Sequence, residues 1–487
     1  MIYPNRQKFY KMAENANVIP TAKELYSDTQ TPIGIFMRFA DKPNSFLLES
    51  VEGGEKWGRY SFIGRNPYMT FSAKDSIITV CRGGETRTLT GNPFDELKSM
   101  FADFRCAEVN GLPRFSGGAV GYFGYDAVRY IEDLPEAPRD DVGMPDCYLM
   151  FCSEIIAYDH LKQKVVVIVN AHVNGDPGDA YDGAVQRIAE ICEEIETQAV
   201  PRAKSAATHC AAFQSNFTRE DFCAAVVKAK RYIYDGDIFQ VVLSQRLAVE
   251  TNANSFDVYR VLRTINPSPY LYYLRLPDAV IVGSSPELLV RVEGDTVETC
   301  PIAGTRPRGK TDLEDAELAE DLLSDEKELA EHTMLVDLGR NDIGKVSRFG
   351  SVKVHNPMHI EKYSHVMHIV SNVTGKKKEE YDTFDVLGAV LPAGTLSGAP
   401  KVRAMEIIGE LERSKRGIYG GCIGYIGFDG NVDMCITIRT MLFHGGKAYL
   451  QAGAGIVADS VPDSEYEETL SKAKALIKAL EKAGDIK

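Results

Sequence analysis

Two acidic pairs are the residues of this chain whose types and spacing are best suited to chemistry. Glu328 and Glu331 lie three residues apart in LSDEKELAEHTMLVD, and Glu465 and Glu468 repeat that spacing in DSEYEETLSKAKALIKALEKA. At about 100° per residue, the members of each pair share one helix face. The first pair also shares its face with Leu335. Like charges placed in this way repel by roughly a few tenths of a kcal/mol even in water.

The repetition of the pair on two predicted helices indicates a divalent cation. If the helices meet, two carboxylates about 4 Å apart repel by ~4 kcal/mol at an effective dielectric constant of about 20. A bound cation removes this repulsion, and oxygen ligands without Cys or His favour Mg²⁺, Mn²⁺ or Ca²⁺. Mg²⁺ takes one or two protein carboxylates and leaves room for an anionic substrate. The alternative for either pair alone is a solvated face, on which Glu468 forms an ordinary ion pair with Lys472.

Three further features suggest anion binding or proton transfer. Gly453, Ala454 and Gly455 precede the last predicted helix, where backbone N–H groups can face a carboxylate or phosphate; a plain strand-end turn is the alternative. Arg439 alternates with uncharged residues in a predicted strand, which suits a bidentate carboxylate contact or a structural salt bridge. His368 in HVMHIV is a candidate acid or base, or else a core histidine. GTLSGAPK lacks the spacing of a nucleotide-binding loop, so no nucleotide is predicted.

The composition is that of a large acidic chain. Its 487 residues are 44% hydrophobic and 25% charged, enough to bury an extensive core in two or more lobes. A net charge of −14 argues against general nucleic-acid or membrane-surface binding. No apolar stretch is long enough to span a bilayer, and the N-terminus lacks the apolar segment of a secretory signal. Ten cysteines without metal-ligand spacing suit reduced thiols, so we expect a cytoplasmic location.

The first part of the chain is predicted to mix strands and helices. NSFLLES and GRYSFIG are predicted strands on either side of the Gly53-Gly54 turn, and KVVVIVNAH is a third strand. Residues 197–216 are small and polar, which favours a linker. Thr218 then caps a predicted helix that runs through about Tyr234 and leads into the strand IFQVVLSQRLAV.

Hairpins dominate the last third of the chain. After the predicted helix SGAPKVRAMEIIGELE come three strands, YGGCIGYIGF, VDMCITIRTMLF and AYLQAGAGIV, joined by Asp-Gly and Gly-Gly turns. A final helix begins after Pro462. Because strands and helices do not alternate strictly, the pattern favours an α+β fold with antiparallel sheets. We place an N-terminal domain at residues 1–200 and a second domain at 217–487.

The chain resembles the chorismate-utilising enzymes in six motifs that follow the family's order and cover nearly all of residues 217–487: PIAGTRPRG, DEKELAEHTMLVDLGRND, YSHVMHIV, GTLSGAPKVRAM, YGGCIGY and QAGAGIVADSVPDSEYEET. The N-terminal segment LLES is similar as well. The resemblance implies a two-lobed fold in which antiparallel sheets pack as a sandwich with helices outside. It also implies conversion of chorismate and ammonia to anthranilate and pyruvate, the first step of tryptophan biosynthesis.

The resemblance implies a role for individual residues. Glu331 and Glu468 match the family's Mg²⁺ ligands, with Glu328 and Glu465 beside them, and the ion is expected to hold the ring carboxylate of chorismate. The expected substrate contacts are Gly304, Thr305, Tyr419, Arg439, Gly453, Ala454, Gly455 and Lys472.

Three residues match catalytic positions of the family, namely Glu287 in SSPE, His368 and Thr305. We expect Glu287 to assist departure of the C4 hydroxyl as ammonia adds at C2. His368 is then expected to serve the proton transfer that eliminates pyruvate and makes the ring aromatic.

Two positions distinguish reactions within the family. Aminodeoxychorismate synthases often carry PIKGT, whose lysine can attack the ring, whereas this chain has Ala303. Isochorismate and salicylate synthases carry a lysine where this chain has Gln240, which cannot act as a general base. Both differences favour direct addition of ammonia. The alternatives are an aminodeoxychorismate synthase, or a non-catalytic protein that binds an amino acid or a metal on the same scaffold.

The resemblance also implies partners. The chain has no segment like a glutamine amidotransferase, so ammonia is expected from a separate glutaminase subunit, component II, with free ammonium able to replace it. Tryptophan is the expected feedback inhibitor. The positions that match its binding site are Ser50, Pro269, Tyr270 and Leu271, where Ser50 can hydrogen-bond an amino acid and the others shape an apolar slot.

Overall fold

The computed structural model describes residues 1–27, 29–40, 42–50, 58–200, 211–363 and 366–486. The predicted Gly53-Gly54 turn and the central part of the predicted linker lie outside the described residues, as do two residues of YSHVMHIV. Within the described ranges, no helix combines the length and the apolar composition that crossing a membrane requires. The cysteines in those ranges carry no disulfide bond.

The strands are short and follow one another mostly as hairpins. They are β1 Ile2–Tyr3, β2 Val18–Tyr26, β3 Ser45–Glu49, β4 Tyr60–Gly64, β5 Met69–Lys74, β6 Ile77–Arg82, β7 Glu85–Thr90, β8 Gly118–Phe123, β9 Cys147–Cys152, β10 Glu154–Asp159, β11 Lys164–His172, β12 Gln214–Ser215, β13 Gln240–Glu250, β14 Tyr270–Arg275, β15 Ala279–Ser285, β16 Leu288–Glu293, β17 Thr296–Thr299, β18 Ile302–Pro307, β19 Lys353–Lys362, β20 Val366–Lys376, β21 Gly398–Ala399, β22 Cys422–Gly427, β23 Val432–Ile436, β24 Thr440–His444 and β25 Lys447–Ile456.

The helices fall between groups of strands. They are α1 Arg6–Ala13, α2 Pro32–Met37, α3 Pro93–Ala102, α4 Pro177–Thr197, α5 Arg219–Tyr234, α6 Ser255–Ile265, α7 Asp312–Ser324, α8 Glu326–Gly344, α9 Thr383–Val390, α10 Lys401–Leu411 and α11 Pro462–Lys482. The Thr218 hydroxyl accepts a hydrogen bond from the N–H of Asp221, which confirms the predicted start of α5. The predicted starts of α10, after Pro400, and of α11, at Pro462, are also confirmed.

The strands form two antiparallel sheets. The first sheet has 13 strands, in the order β1-β2-β11-β10-β4-β3-β14-β15-β24-β25-β13-β12, with β21 beside β13. The second has 12, in the order β18-β20-β17-β16-β23-β22-β8-β9-β5-β6-β7, with β19 beside β20. The first half of the chain joins the second through β3 and β14 in one sheet and through β8 and β22 in the other. Strands β11 and β13, on either side of the predicted linker, belong to the same sheet, so the division into domains at residues 200 to 217 stays a prediction.

The core explains why the sheets face each other. Large side chains from both halves of the chain, such as Phe62, Tyr122, Tyr272 and Tyr425, pack together between the sheets. The helices α4, α6 and α11 cover the outer face of the first sheet with their apolar sides, and α3 and α9 cover the second. The central strands of each sheet therefore bury both faces, whereas β6, β7 and β19 stay partly or largely exposed. Each Å² of apolar surface removed from water contributes roughly 25 cal/mol. The predicted α+β sandwich with outer helices is confirmed.

One predicted strand was wrong. VDMCITIRTMLF was expected to be continuous, but it divides into β23 in the second sheet and β24 in the first. The chain crosses from one sheet to the other at Thr437 to Arg439, and Arg439 has a φ of 47°, in the left-handed region. The segment has no Gly or Pro and stays rich in apolar residues from Val432 to Phe443, so the sequence gives no clear sign of the crossing.

Candidate active site

A cavity of about 540 Å³ lies where α8, α11 and the edges of the two sheets come together. Both acidic pairs face it, with a set of other polar residues that includes most of the predicted substrate contacts. Its polar lining consists of Gln240, Glu287, Gly304, Thr305, Lys327, Glu328, Glu331, Thr395, Tyr419, Arg439, Gln451, Gly453, Gly455, Ser460, Glu465, Glu468 and Lys472.

The first turns of α8 and α11 position the acidic pairs. The Asp325 carboxylate caps α8 by accepting hydrogen bonds from the N–H groups of Lys327 and Glu328, at 3.1 and 3.2 Å. Glu465 lies in the first turn of α11, which begins with Pro462. Carboxylates are favoured near helix N-termini by the helix dipole. The two helices therefore bring the acidic pair of α8 and the acidic pair of α11 to the same cavity.

Glu331 and Glu465 have raised pKa values, in part because of their acidic neighbours. Burial, then the neighbouring Glu328 carboxylate, raises the pKa of Glu331, against the opposing effect of Lys472 and Lys327. Burial raises the pKa of Glu465, and the Glu468 carboxylate adds to the rise. In the described part of the chain, no three His, Cys, Asp or Glu side chains are grouped closely enough to form a complete metal site. A cation held by one or two carboxylates and by waters needs no such group, so the donor set fits Mg²⁺.

Lys472 forms the ion pair that the spacing alone predicted. Its ammonium lies 2.7 Å from the Glu468 carboxylate, and both side chains are about half exposed. The same ammonium donates a hydrogen bond to the carbonyl of Gly453 at 3.0 Å, which joins α11 to β25. Such a half-exposed pair contributes little to stability, so either group can be released to a ligand at low cost.

The glycines of β25 face the cavity on alternate residues. Gly453 and Gly455 line it, whereas the side chain of Ala454 is fully buried on the opposite side of the strand. A Cβ at Gly453 would lie 2.8 Å from the Tyr419 hydroxyl. Any side chain there would push that tyrosine out of place. A backbone contact from Ala454 to a ligand stays a prediction.

Arg439 differs from its predicted setting. It lies in the crossing between the sheets and not within a strand, but its guanidinium still faces the cavity. Burial lowers the pKa of Arg439, and the nearby Glu287 carboxyl partly offsets this effect. Within the described residues, the guanidinium makes no hydrogen bond or ion pair. A largely buried, unpaired guanidinium is a strong site for a ligand carboxylate.

A bulge in β18 brings Gly304 and Thr305 to the cavity. The register of β18 against β20 shifts between Ala303 and Thr305, and Gly304 has a φ of 71°. At this point a Cβ would meet the Glu328 carboxylate at 3.2 Å and the buried Leu322 at 3.0 Å. A glycine therefore lets the strand approach the acidic pair closely.

His368 is 8% exposed and lies beside this bulge, in contact with two lining residues, although it does not itself line the cavity. Its Nδ1 lies 2.9 Å from the carbonyl of Gly304 and 3.1 Å from the Thr305 hydroxyl. A carbonyl can only accept, so Nδ1 carries the proton and Nε2 is the free nitrogen of the neutral ring. Burial lowers the pKa of His368, which keeps the ring neutral near pH 7.

Glu287 follows β15 and is the most perturbed carboxyl of the cavity. Burial raises its pKa to about 7, although Thr395, Arg439 and Lys472 act in the opposite direction. A carboxyl with this pKa is protonated in about half of the molecules at neutral pH. It is therefore suited to general acid catalysis.

Four polar lining residues were missed from the sequence, namely Lys327, Thr395, Gln451 and Ser460. Lys327 precedes Glu328 and lowers the pKa of Glu331 and Glu465. Thr395 belongs to GTLSGAPK, which was excluded as a nucleotide loop and given no other role. Gln451 lies in β25 ahead of the glycines and was not distinguished from an ordinary strand residue. Only the position of Lys327 beside the acidic pair offered a signal.

A second cavity, of about 400 Å³, contains the predicted tryptophan positions. Ser50, Pro269, Tyr270 and Leu271 all line it, at the place where β3 pairs with β14. The Tyr270 hydroxyl donates to Asp433 at 2.9 Å. This cavity lies between strands from the two halves of the chain.

Comparison with known proteins connects these cavities to a family. Residues 44–478 match the family of chorismate binding enzymes. The anthranilate synthase component 1 of Acetivibrio thermocellus is 58% identical over 494 residues, which span 100% of both chains. The anthranilate synthase component 1 of Aquifex aeolicus is 48% identical over 97% of this chain and 96% of its own length.

Solved structures agree with this relationship. Anthranilate synthase component I from Streptococcus pneumoniae has a TM-score of 0.76 and 38% identity, covering 93% of this chain and 98% of that chain. MenF, the menaquinone-specific isochorismate synthase of Escherichia coli, has a TM-score of 0.71 and covers 98% of both chains. At 16% identity, the likeness to MenF shows the fold alone. The family match over most of the chain and the full-length relatives establish that this chain belongs to the chorismate binding enzymes.

Proposed function

We propose that this chain is the synthase component of an anthranilate synthase, which converts chorismate and ammonia to anthranilate and pyruvate at the start of tryptophan biosynthesis. The observation that carries the proposal is the gathering of four glutamates, an unpaired arginine, a lysine and a perturbed carboxyl in one cavity. Chorismate is a small dianion, and its two carboxylates need two positively charged contacts. The names of the full-length relatives support the same activity.

Mg²⁺ is the proposed cofactor. Glu331 and Glu468 are the proposed ligands, with Glu328 and Glu465 in support, since all four face the cavity from two helices. Glu328 also lies 3.5 Å from Arg306, which suits an outer position. When bound, the ion supplies positive charge that neutralises the acidic groups and attracts a substrate carboxylate.

The remaining residues of the cavity orient the substrate. Arg439 and Lys472 hold the carboxylates, the N–H groups of Gly453 to Gly455 assist, and Tyr419 and the bulge at Gly304 and Thr305 limit how the ring can lie. Because the ring is fixed in this way, the addition of ammonia loses less entropy than the same reaction between free molecules in solution.

Two groups carry the protons. Glu287 gives its proton to the C4 hydroxyl, which leaves as water while ammonia adds at C2. His368 then accepts or returns a proton through Nε2 during loss of pyruvate, with Thr305 and the Gly304 carbonyl fixing the ring orientation. Burial favours the protonated, neutral form of Glu287 and the neutral form of His368, which are the forms that these roles require.

Ammonia is the proposed nucleophile, delivered by a separate glutamine amidotransferase subunit. Ala303 provides no lysine to attack the ring, and Gln240, which lines the cavity, is not a base. The name component 1 in the relatives supports the existence of a second component. Free ammonium should replace this partner in vitro. We also propose a cytoplasmic location, with which the free thiols of the described cysteines agree.

Tryptophan is the proposed inhibitor, bound in the cavity lined by Ser50, Pro269, Tyr270 and Leu271. Because this cavity lies between strands of the two halves of the chain, binding there can favour one relative placement of those strands. Substrate affinity must then change in the reciprocal sense.

One assay tests the proposal. Purified chain, chorismate, Mg²⁺ and ammonium should yield fluorescent anthranilate, and tryptophan should suppress it. Formation of isochorismate or salicylate without ammonia, or of aminodeoxychorismate with it, would assign the chain to another reaction of the family. Absence of any chorismate turnover would favour a non-catalytic binding protein.

A further inference from the structure

A third, smaller cavity, the rear cavity, lies beside Glu287. It has a volume of about 40 Å³, which is room for about two or three water molecules. Glu287, Leu335 and Thr395 line both this rear cavity and the large one, so Glu287 forms part of the wall between them. The other lining residues are mostly apolar, but Asp342 is among them.

Asp342 and Lys401 form a buried ion pair that has no part in the proposed chemistry. The Lys401 ammonium lies 2.6 Å from one carboxylate oxygen of Asp342, and it also donates to the carbonyl of Val390 at 3.2 Å. The Asp342 side chain is 8% exposed and that of Lys401 is 12% exposed. The pair connects α8, α9 and α10. It also brings together two sequence motifs, LVDLGRND and GTLSGAPK, whose polar residues Asp342 and Lys401 have no role in the proposed function.

Two polar atoms of the rear cavity lack hydrogen-bond partners. The second carboxylate oxygen of Asp342 is fully buried and accepts no hydrogen bond from any described residue. The Thr395 hydroxyl lies close enough to Glu287 to lower the pKa of that carboxyl, but it makes no hydrogen bond of ordinary geometry in the described ranges. Buried polar atoms beside a cavity of this size are the setting in which ordered water is held.

We infer that the rear cavity is a proton path, in which water connects Glu287 through Thr395 to the Asp342–Lys401 pair. This inference rests on the proposed function. Each turnover takes a proton from Glu287 when the C4 hydroxyl leaves as water. The nitrogen that has added at C2 carries one proton in excess and releases it to solvent. The path returns one proton: cavity water gives it to the Glu287 carboxylate, Asp342 and Lys401 replace it, and solvent restores Lys401 at its exposed edge.

The charges around the path suit this direction of transfer. Glu287 is faced by Arg439, Lys472, Tyr419 and the Cys300 thiol. Asp342 is faced by Lys401 and Lys345. Lys401 is faced by Asp342, Lys345 and Glu132. Burial raises the pKa of Asp342 and lowers that of Lys401. The two pKa values therefore lie closer together, which makes transfer of a proton between the two groups easier.

The test compares D342N with D315N in the ammonium-dependent assay. Asp315 is a carboxylate whose side chain is 3% exposed, against 8% for Asp342; it pairs with Arg308 at 2.6 Å and lines none of the three cavities described. D342N should lower kcat by about tenfold with an unchanged KM for chorismate, and should increase the solvent deuterium isotope effect on kcat. D315N should lower the unfolding temperature without moving either kinetic readout.

Further variants keep the inference testable if D342N does not fold. T395V preserves shape and removes the bridging hydroxyl, so it should show the same increase in isotope effect. K401R keeps the charge and should retain more of kcat than K401M. Wild-type kinetics and isotope effects in T395V and D342N, or losses that match those of D315N, would overturn the proton path. Failure of the wild-type chain itself to form anthranilate would instead overturn the proposed function.

Discussion

The two largest sites described here differ in how their charges are paired. In the second cavity, which contains Ser50 and Tyr270, each charged lining residue has an ion-pair partner within 4 Å. The five charged residues are Glu49, Arg59, Arg114, Arg291 and Asp433. In the cavity of the acidic pairs, five charged residues have no such partner in the described part of the chain. They are Glu287, Lys327, Glu331, Arg439 and Glu465.

This difference indicates the kind of ligand that each cavity can accept. A cavity whose charges already cancel gains little by binding an ion, but it can hold a zwitterion with no net charge through hydrogen bonds and apolar contact. Unpaired charges of both signs in one cavity raise the free energy of the protein. Binding a cation together with an anion lowers that free energy most, because each ion pairs with charges of the opposite sign. The contrast supports a metal and a dianion in one site and an amino acid in the other.

Removal of the proposed cation contact should give the largest effect. Glu331→Gln and Glu468→Gln should each reduce anthranilate formation by at least about a hundredfold, because several kcal/mol of charge stabilisation is lost. Chelation of Mg²⁺ should have a similar effect on the wild-type chain and be reversed by added Mg²⁺. Glu467→Gln is the matched control, since Glu467 is an exposed neighbour on α11 that pairs with Arg219. Equal activity of E331Q and E467Q would contradict a cation contact at Glu331 and the contrast in charge pairing drawn between the two cavities.

Glu287→Gln should abolish most activity while making the fold more stable. The raised pKa of Glu287 means that the folded wild-type chain loses stability as pH rises from about 4.5 to about 7. Gln cannot ionise, so at pH 8 the variant should exceed the wild type in free energy of unfolding by about 3 kcal/mol. Denaturant unfolding at pH 5 and pH 8 measures this gap, which should be much smaller at pH 5. A gap independent of pH would contradict the perturbed carboxyl.

In the wild type, the same carboxyl should control the pH dependence of turnover. If Glu287 acts as the acid, kcat should fall as pH rises through about 7, because the protonated form is lost. Steady-state kinetics in ammonium buffers, corrected for the ammonia fraction, checks this limb. A kcat that keeps rising above pH 7 after that correction would assign the acid to another group.

Ser50→Phe should separate the two cavities. A bulky ring at the edge of β3 fills the second cavity, so tryptophan inhibition should be lost while activity without tryptophan stays near the wild-type value. Inhibition curves with and without tryptophan give the result. Inhibition of the variant at the tryptophan concentrations that inhibit the wild type would indicate that the inhibitor binds at a different site.

Tyr270→Phe should give the smallest effect. It removes the hydrogen bond that the tyrosine donates to Asp433 and the one that it accepts from Arg291. Those two residues still pair with each other at 2.7 Å, so the free energy of unfolding should fall by about 1 to 2 kcal/mol. Tryptophan inhibition should weaken only slightly. A loss of inhibition as large as that of Ser50→Phe would indicate that the tyrosine hydroxyl contacts the inhibitor directly.

The sequence by itself determined the local elements and the candidate residues. Periodicity and caps located α5, α8, α10 and α11, because these signals arise from contacts within a few residues. The i,i+3 spacing identified both acidic pairs for the same reason. The family resemblance selected Glu287 and the tryptophan positions, which periodicity alone would have left among ordinary strand and turn residues, and it added a substrate role to Arg439, which its place in a predicted strand had already made a candidate.

Only the tertiary structure decided which of these residues meet. Pairing of β3 with β14, and of β8 with β22, joins segments more than two hundred residues apart, and it creates the second cavity between them. The crossing at Arg439, the burial that raises the pKa of Glu287, and the rear position of Asp342 likewise depend on packing between distant segments. Such contacts leave no periodic trace in the sequence, because their free energy comes from surfaces that exist only after the sheets have assembled.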